Sequence, residues 1–210
     1  GHSGFLDYLL TARLSQLITG KPALHSLYCP IALEQGRHNR PLYKLLLRRS
    51  ANGLAALTAF SRNVQQSLQS YGVDKRRIHV TLPAIDLKRF YPAAGAEEVR
   101  AALGLAPDDF VILFVGNTKP AKNLSALLQA FYEVRQRLAA IRAPAPLTVK
   151  LIVTTELKDA SADQNRQLLA KQMDELGLEA DVLQLGIIDN MPDLMRASDV
   201  LVAPFLDTFG

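Results

Sequence analysis

A chain of 210 residues that is 49% apolar has room for one large domain or two modest ones around a packed core, and excludes a disordered chain. A single cysteine, Cys29, excludes an internal disulfide and fits a reducing compartment, and no Cys/His cluster has metal-ligand spacing, so no structural zinc is expected. The net charge of +4 is uneven, +9 over residues 1–92 against −5 over residues 93–210, which predicts two domains with different partners, the first facing something anionic.

The chain opens on an amphipathic run, Phe5 to Ile18, that predicts a helix ended by Gly20 and Pro22. Ala23 to Tyr28 reads as a short strand whose end presents His25, Ser26 and Tyr28. Arg37, His38, Arg40, Lys44, Arg48 and Arg49 form a basic cluster leading into a helix over Leu42–Asn52, with Leu42, Tyr43, Leu45 and Leu46 as its apolar stripe. Basic amphipathic helices are either solvated faces or contacts to anionic membranes. Leu54 to Ser61 reads as a strand, Asn63 to Tyr71 as a capped helix stopped by Gly72, and Asp74 to Pro92 as a further strand followed by a turn. Ala93 to Asp109 is rich in alanine with two glycines and a proline, so Glu97 to Leu103 is expected as a short helix spacing two domains.

The second half is organised around Phe110-Val-Ile-Leu-Phe-Val-Gly116, six apolar residues that predict a strand buried on both faces. Gly116 ends it where a bulky residue would block the turn. A loop with Lys119 and Lys122 follows, and Leu124, Leu127, Leu128, Phe131 and Val134 fall at helical spacing with Asn123 placed as the cap. Strand, lysine-bearing loop and helix form a natural anion site, because the free N–H groups of the helix start face the ligand and Lys122 adds charge. Strands are then expected at Leu147–Thr155, Val182–Ile188 and Val200–Pro204, with helices at Ser161–Leu176 and from Asp189 through Ala197. Strict alternation predicts a parallel, doubly wound sheet.

No apolar run reaches the roughly 18 residues of a spanning helix, and the opening residues do not read as a secretory leader. A soluble, cytoplasmic protein is expected, with the basic helix near residues 37–49 as a candidate contact to the inner face of an anionic membrane. Neither a phosphate loop nor a G-x-G-x-x-G fingerprint occurs, and the basic half lacks any motif that reads nucleic acid. The strandless start and the end at Gly210, directly after a strand, read as a segment of a longer protein. Unpaired sheet edges would then give the isolated chain poor solubility.

Three stretches in order resemble the family 4 glycosyltransferases, enzymes of the GT-B fold. Arg77, Ile78, Val80, Asp86, Phe90 and Pro92 match "Arg-Ile-x-Val-x-x-x-x-x-Asp-x-x-x-Phe-x-Pro". Phe114-Val-Gly116 through Phe131 is similar to "V-G-[RN]-x-x-x-x-K-[GN]-x-x-x-L-x-x-A-F". Ala197, Ser198, Asp199, Val200, Val202 and Pro204 match "A-[SD]-D-V-x-V-x-P".

The resemblance implies an α/β chain of two incomplete Rossmann-like domains with parallel sheets flanked by helices. Residues 1–92 would be the second part of an acceptor-side domain, 93–108 a linker, and 109–210 the first part of a donor-side domain. The implied activity is transfer of a sugar from a nucleoside-diphosphate sugar to a glycan, lipid or small-molecule acceptor, with retention of configuration, without a metal and without a cofactor. Carried over by position, Lys122 contacts the donor diphosphate, with Gly116, Asn117 and Lys119 around it. Gly186, Ile187 and Ile188 lie toward the nucleobase, and Asp207 stands near the first acidic donor-binding position. The family histidine corresponds to His25 by residue type, while register from Pro22 points to Tyr28. The family usually has arginine where Asn117 stands, and the second acidic residue would fall beyond Gly210. Those departures support an alternative, a non-catalytic module that binds a nucleotide sugar or a partner protein.

Overall fold

The computed structural model of the chain describes residues 5–31, 41–92, 95–141, 147–155 and 164–206. These divide at Ile85 into two compact units. Arg37, His38, Arg40 and Asp207 lie outside the described residues.

The first unit runs α1 (Phe5–Thr19), β1 (Leu24–Leu27), α2 (Pro41–Gly53), β2 (Ala56–Ala59), α3 (Arg62–Ser70) and β3 (Ile78–Val80). Its three strands are parallel in the order β1-β2-β3, with Leu24 opposite Ala56 and Leu57 opposite Ile78. Period-two alternation sets the faces of β2. Leu57 and Ala59 enter the core with Leu9, Leu27, Leu47, Leu54, Val64, Leu68 and Ile78, while the Thr58 hydroxyl donates across the strands to Ser26 Oγ at 2.7 Å. Ser61 caps α3 by accepting from the Val64 N–H at 3.2 Å, and Gly72, at φ +82°, supplies the left-handed turn that ends it. The C-terminal end of α2 is tied to α1, where Arg13 and Gln16 donate to the Gly53 carbonyl at 2.6 and 3.1 Å. Asp74, which accepts from the Arg76 backbone and guanidinium, has its carboxyl pulled down to about 2 by those bonds.

The second unit runs α4 (Glu97–Ala102), β4 (Phe110–Phe114), α5 (Leu124–Ala140), β5 (Val149–Val153), α6 (Gln164–Glu175), β6 (Val182–Gln184), α7 (Met191–Arg196) and β7 (Val200–Leu201). All four strands are parallel, in the order β6-β5-β4-β7. Strand β4 is buried on both faces as its apolar run predicts. Phe114 joins Leu124, Leu128, Phe131, Leu151, Val153 and Met173 on the face covered by α5 and α6. Val111 and Leu113 join Leu105, Ile152 and Leu194 on the other.

Strands β2, β5, β6 and β7 are all shorter than the sequence suggests, and for β6 and β7 the cause is visible. Pairing of β6 stops at Gln184 because Gly186 adopts φ +67° and turns the chain, after which Ile188 packs back against the Leu105–Leu194 cluster. Pairing of β7 stops early because Pro204 has no N–H for the ladder, although the Val202 N–H still reaches the Leu113 carbonyl at 2.9 Å.

Residues 95–108, expected as part of a spacer, pack into the second unit. Leu105 is buried in its core. Arg100 donates to the Ala197 carbonyl at 3.0 Å and to the Asp109 carbonyl, and stands 3.6 Å from Asp199. Asp199 in turn accepts from the Val111 N–H at 2.7 Å, and the Val111 carbonyl accepts from the Asp199 N–H at 2.9 Å. The aspartate of the "A-S-D-V" stretch thus fastens the start of β7 to the start of β4. Asp199→Ala leaves a buried N–H unpaired and is expected to destabilise the protein by about 1–3 kcal/mol. Asp199→Asn, which keeps an acceptor, is expected to cost less, as read from the midpoints of urea unfolding.

Candidate functional site

Strand order locates the site before any residue is considered. From β4 the chain steps outward to β5 and β6, then returns to lay β7 on the opposite side of β4. The strand order therefore reverses at β4, with β5 on one side and β7 on the other, and the carboxyl ends of strands at such a reversal are the place where open parallel sheets bind ligands. Gly116, Asn117, Lys119 and Lys122 all lie on the connection after β4, and Pro204, Phe205 and Leu206 on the segment after β7.

The β4–α5 connection is held by its own polar groups. The Gly116 N–H donates to Thr154 Oγ1 at 3.2 Å, and Asn117 Oδ1 accepts from the Lys119 N–H at 3.0 Å, the two-residue closure of an Asx turn. Pro120–Lys122 form one 3-10 turn, with the Lys122 N–H donating to the Lys119 carbonyl at 2.8 Å. Asn123 does not cap α5 as the sequence suggests. It sits in the left-handed region at φ 54°, where its side chain makes no capping bond, and joins the 3-10 turn to the helix. Asparagine suits that conformation better than most residues. The start of α5 is thus left without a side-chain cap, and its first-turn N–H groups keep their affinity for an anion.

Gly116 is required for a reason other than the turn itself. A Cβ built on it would stand 2.8 Å from Phe114 Cζ, closer than real Cβ contacts come. The Phe114 ring meets Phe205 edge to face, with centroids 6.3 Å apart and planes at 90°. Lys122 Nζ lies 4.0 Å from the Phe205 centroid, and the Leu206 N–H donates to the Ala121 carbonyl at 2.9 Å, fastening the two connections together. Phe205 is the participant that sequence reasoning missed. Its signal was an aromatic residue directly after the "V-x-V-x-P" strand, legible only once β7 is known to lie beside β4.

The remaining expected residues are more dispersed. Gly186, Ile187 and Ile188 follow β6, at the same edge of the sheet but two strands from β4, roughly 10 Å along it. Ile187 is 98% exposed and free to meet a ligand, whereas Ile188 is turned toward the core. His25 belongs to the first unit and lies inside β1, in register with Leu57, not at the strand's carboxyl end. Burial lowers its pKa below the ordinary 6.5, favouring the neutral imidazole. Tyr28 does stand past the end of β1, 65% exposed, with its ring edge to face with Phe60 at 4.2 Å. Among the described residues no group of three His, Cys, Asp or Glu side chains is placed to hold a metal ion. The "Phe-x-Pro" end of the first matching stretch lines a cavity of about 420 Å³ with Pro192, Met195 and Arg196, and the Arg196 guanidinium lies 5.4 Å from the Tyr91 centroid.

Residues 109–210 match a family model described as glycosyl transferases group 1. A D-inositol 3-phosphate glycosyltransferase of Thermomonospora curvata is 30% identical over 203 residues, covering 88% of this chain and 45% of that protein. Another, of Rhodococcus erythropolis, is 34% identical over 143 residues, covering 67% and 30%. The chain spans less than half the length of these relatives. Among solved structures, HepE of Anabaena in complex with UDP and glucose aligns with a TM-score of 0.72 at 20% identity, covering 95% of this chain and 50% of that one. A glycosyltransferase of Rickettsia africae aligns with a TM-score of 0.73 at 15% identity, covering 93% and 48%. Likeness at such identities shows the fold alone, that of the GT-B glycosyltransferases.

Two outcomes follow from the geometry. Gly116→Ala forces the Phe114 ring to shift inside a packed cluster, with an expected loss of about 1–3 kcal/mol in urea unfolding. For His25, whose folded pKa lies below the unfolded 6.5, protonation favours the unfolded chain. Its contribution is fully present above about pH 6.5 and is lost as the pH falls toward the folded value. The melting temperature of His25→Gln is therefore expected to fall less than that of the wild type between pH 7 and pH 5.

Proposed function

We propose that this chain, which belongs to the group 1 glycosyl transferases, forms part of an enzyme that moves a sugar from a nucleoside-diphosphate sugar to an acceptor hydroxyl. The observation that carries the reading is the position of Lys122. It precedes the uncapped start of α5, on the connection where a parallel sheet reverses its strand order. An ammonium and a set of outward N–H groups at one point suit a diphosphate.

In the reaction the bond between the anomeric carbon and the diphosphate oxygen breaks, and the acceptor oxygen bonds to that carbon. The acceptor proton ends on the departing nucleoside diphosphate. Negative charge grows on the leaving group as the bond breaks, and Lys122 stabilises it, so the barrier falls without a metal being required. Gly116, Asn117 and Lys119 line the donor in this scheme, Gly186 and Ile187 approach its base, and Asp207 approaches its sugar or ribose. Retention of configuration belongs to the same proposal, as does a role for His25 beside the acceptor. The +9 charge of residues 1–92 supports an anionic acceptor, in keeping with relatives named for D-inositol 3-phosphate. Asn117, whose side-chain oxygen is already committed to the Lys119 N–H, brings no positive charge to the loop. That favours, as a second reading, a module that binds the donor and transfers nothing.

A peripheral contact with anionic membrane through α2 is also proposed. Its support is that Leu42 and Leu45 are exposed together with Lys44, Arg48 and Arg49. No helix among the described residues is long and apolar enough to cross a membrane.

Titration calorimetry of UDP, GDP, ADP and their sugar conjugates into the full-length protein is expected to find one nucleotide that binds. Lys122→Ala should weaken it by about 1.5–3 kcal/mol, as for a lost charge-assisted contact. Absence of binding to the folded protein, or equal affinity in the variant, would reject the donor site, and binding without sugar transfer to any acceptor would leave the second reading. Sedimentation with phosphatidylglycerol vesicles is expected to fall for Leu42→Glu together with Arg48→Glu, and to be negligible with phosphatidylcholine alone.

A further inference from the structure

We infer that Phe205 is a positioning residue for Lys122, its ring face holding the ammonium at the carboxyl ends of β4 and β7. The inference rests on the reading of Lys122 as the diphosphate-binding lysine, and names a part of the chain that keeps it there.

Three features fix the ring. Its edge-to-face partner Phe114 is fully buried, and that ring passes so close to Gly116 that no larger residue fits without moving it. The backbone beside it is tied to the β4–α5 connection by the Leu206 N–H to the Ala121 carbonyl, one residue before Lys122. Pro204 restricts the chain on the other side. Lys122 Nζ then lies 4.0 Å from the ring centroid, well inside the range of attraction between a cation and an aromatic face.

The chemistry of the platform matters as much as its position. A lysine side chain has four rotatable bonds, and ordering it only when the ligand arrives would weaken binding. An aromatic face attracts the ammonium through its quadrupole and leaves the net charge in place for an anion. The same arrangement explains why Phe205, an aromatic residue partly packed on the core, stands directly beyond a short strand.

The alternative is that Phe205 merely fills space beside Phe114. Leucine at the position would serve that purpose, whereas only an aromatic residue would serve the other. In full-length protein carrying 13C-methylated lysines, the Lys122 signal, identified by its absence from Lys122→Ala, is expected upfield of exposed lysines through the ring current. That displacement should persist in Phe205→Trp and vanish in Phe205→Leu. In calorimetry with the nucleoside diphosphate that binds the wild type, Phe205→Leu should lose about 2- to 5-fold in affinity, the size of one partly exposed cation–aromatic contact, with Phe205→Trp restored. With Lys122→Ala already present, Phe205→Leu should change nothing further. Unaltered urea midpoints for both variants separate this loss from unfolding.

A Lys122 signal indifferent to Phe205→Leu overturns the inference, as does an equal loss of affinity with and without Lys122. In both cases binding that still depends on Lys122 leaves the donor reading standing. A folded wild type that binds no nucleoside diphosphate overturns that reading instead, and the positioning role with it.

Discussion

The second unit depends on one pairing, that of β7 with the inner strand β4. Without it the sheet would be a simple progression from β4 through β5 to β6, with no reversal of strand order. The pairing is short, two residues in register, and two residues of β7 are too few to secure it by ladder bonds alone. Polar anchors at its start compensate. Asp199 exchanges bonds with the Val111 backbone from its side chain and its own N–H, and Arg100 bridges Asp199, Ala197 and Asp109. At the other end the chain is held by Val202 to Leu113 and Leu206 to Ala121. The charged cluster at one end of the strands therefore sets the register that brings Phe205 to Lys122 at the other.

Much of this was legible in the sequence because its signals are local. The apolar run Phe110–Val115 predicts a strand buried on both faces, and it is covered on both by separate clusters. A capped helix was expected after the strand ending at Ser61, and Ser61 is its cap. Gly20 and Gly72 sit at positive φ where helices were predicted to stop. The features that escaped are non-local or conformational. Asn123 has the composition of a helix cap, yet a preceding 3-10 turn requires a left-handed residue at that point, and asparagine meets that demand instead. Ile187 and Ile188 look alike in sequence, but the turn at Gly186 exposes the first and buries much of the second. No pattern of residues near position 205 could name its partner, because the partner lies 83 positions earlier and is brought there by strand order.

The first unit presents the opposite balance of local and distant signals. Helix α1 buries Leu9 against α2 and the sheet, yet Leu10, Leu14, Leu17 and Ile18 fall on another side of it and are exposed. A helix apolar on two sides is characteristic of one enclosed in a larger fold. The outer edge of β1 likewise presents backbone groups that β2 does not pair. His25 lies on that strand, partly buried, and it is this burial that lowers its pKa.

The electrostatics of the β4–α5 connection explain why a single lysine can carry so much of the proposed site. Asn117, directly after Gly116, closes the loop through its own side chain. The loop gains rigidity but no positive charge. Rigidity benefits the backbone N–H groups of α5, which act as fixed partial charges and need no side-chain ordering. The mobile charge is then Lys122 alone on the 3-10 turn, with Lys119 exposed at its start. Fixed dipoles attract an anion only within the first turn of the helix, so the ammonium has to be near the same point to act with them. A long side chain achieves that only if something limits its rotamers. The ring of Phe205, itself limited by Phe114 and Gly116, lies 4.0 Å from that ammonium and restricts those rotamers without adding a negative charge of its own.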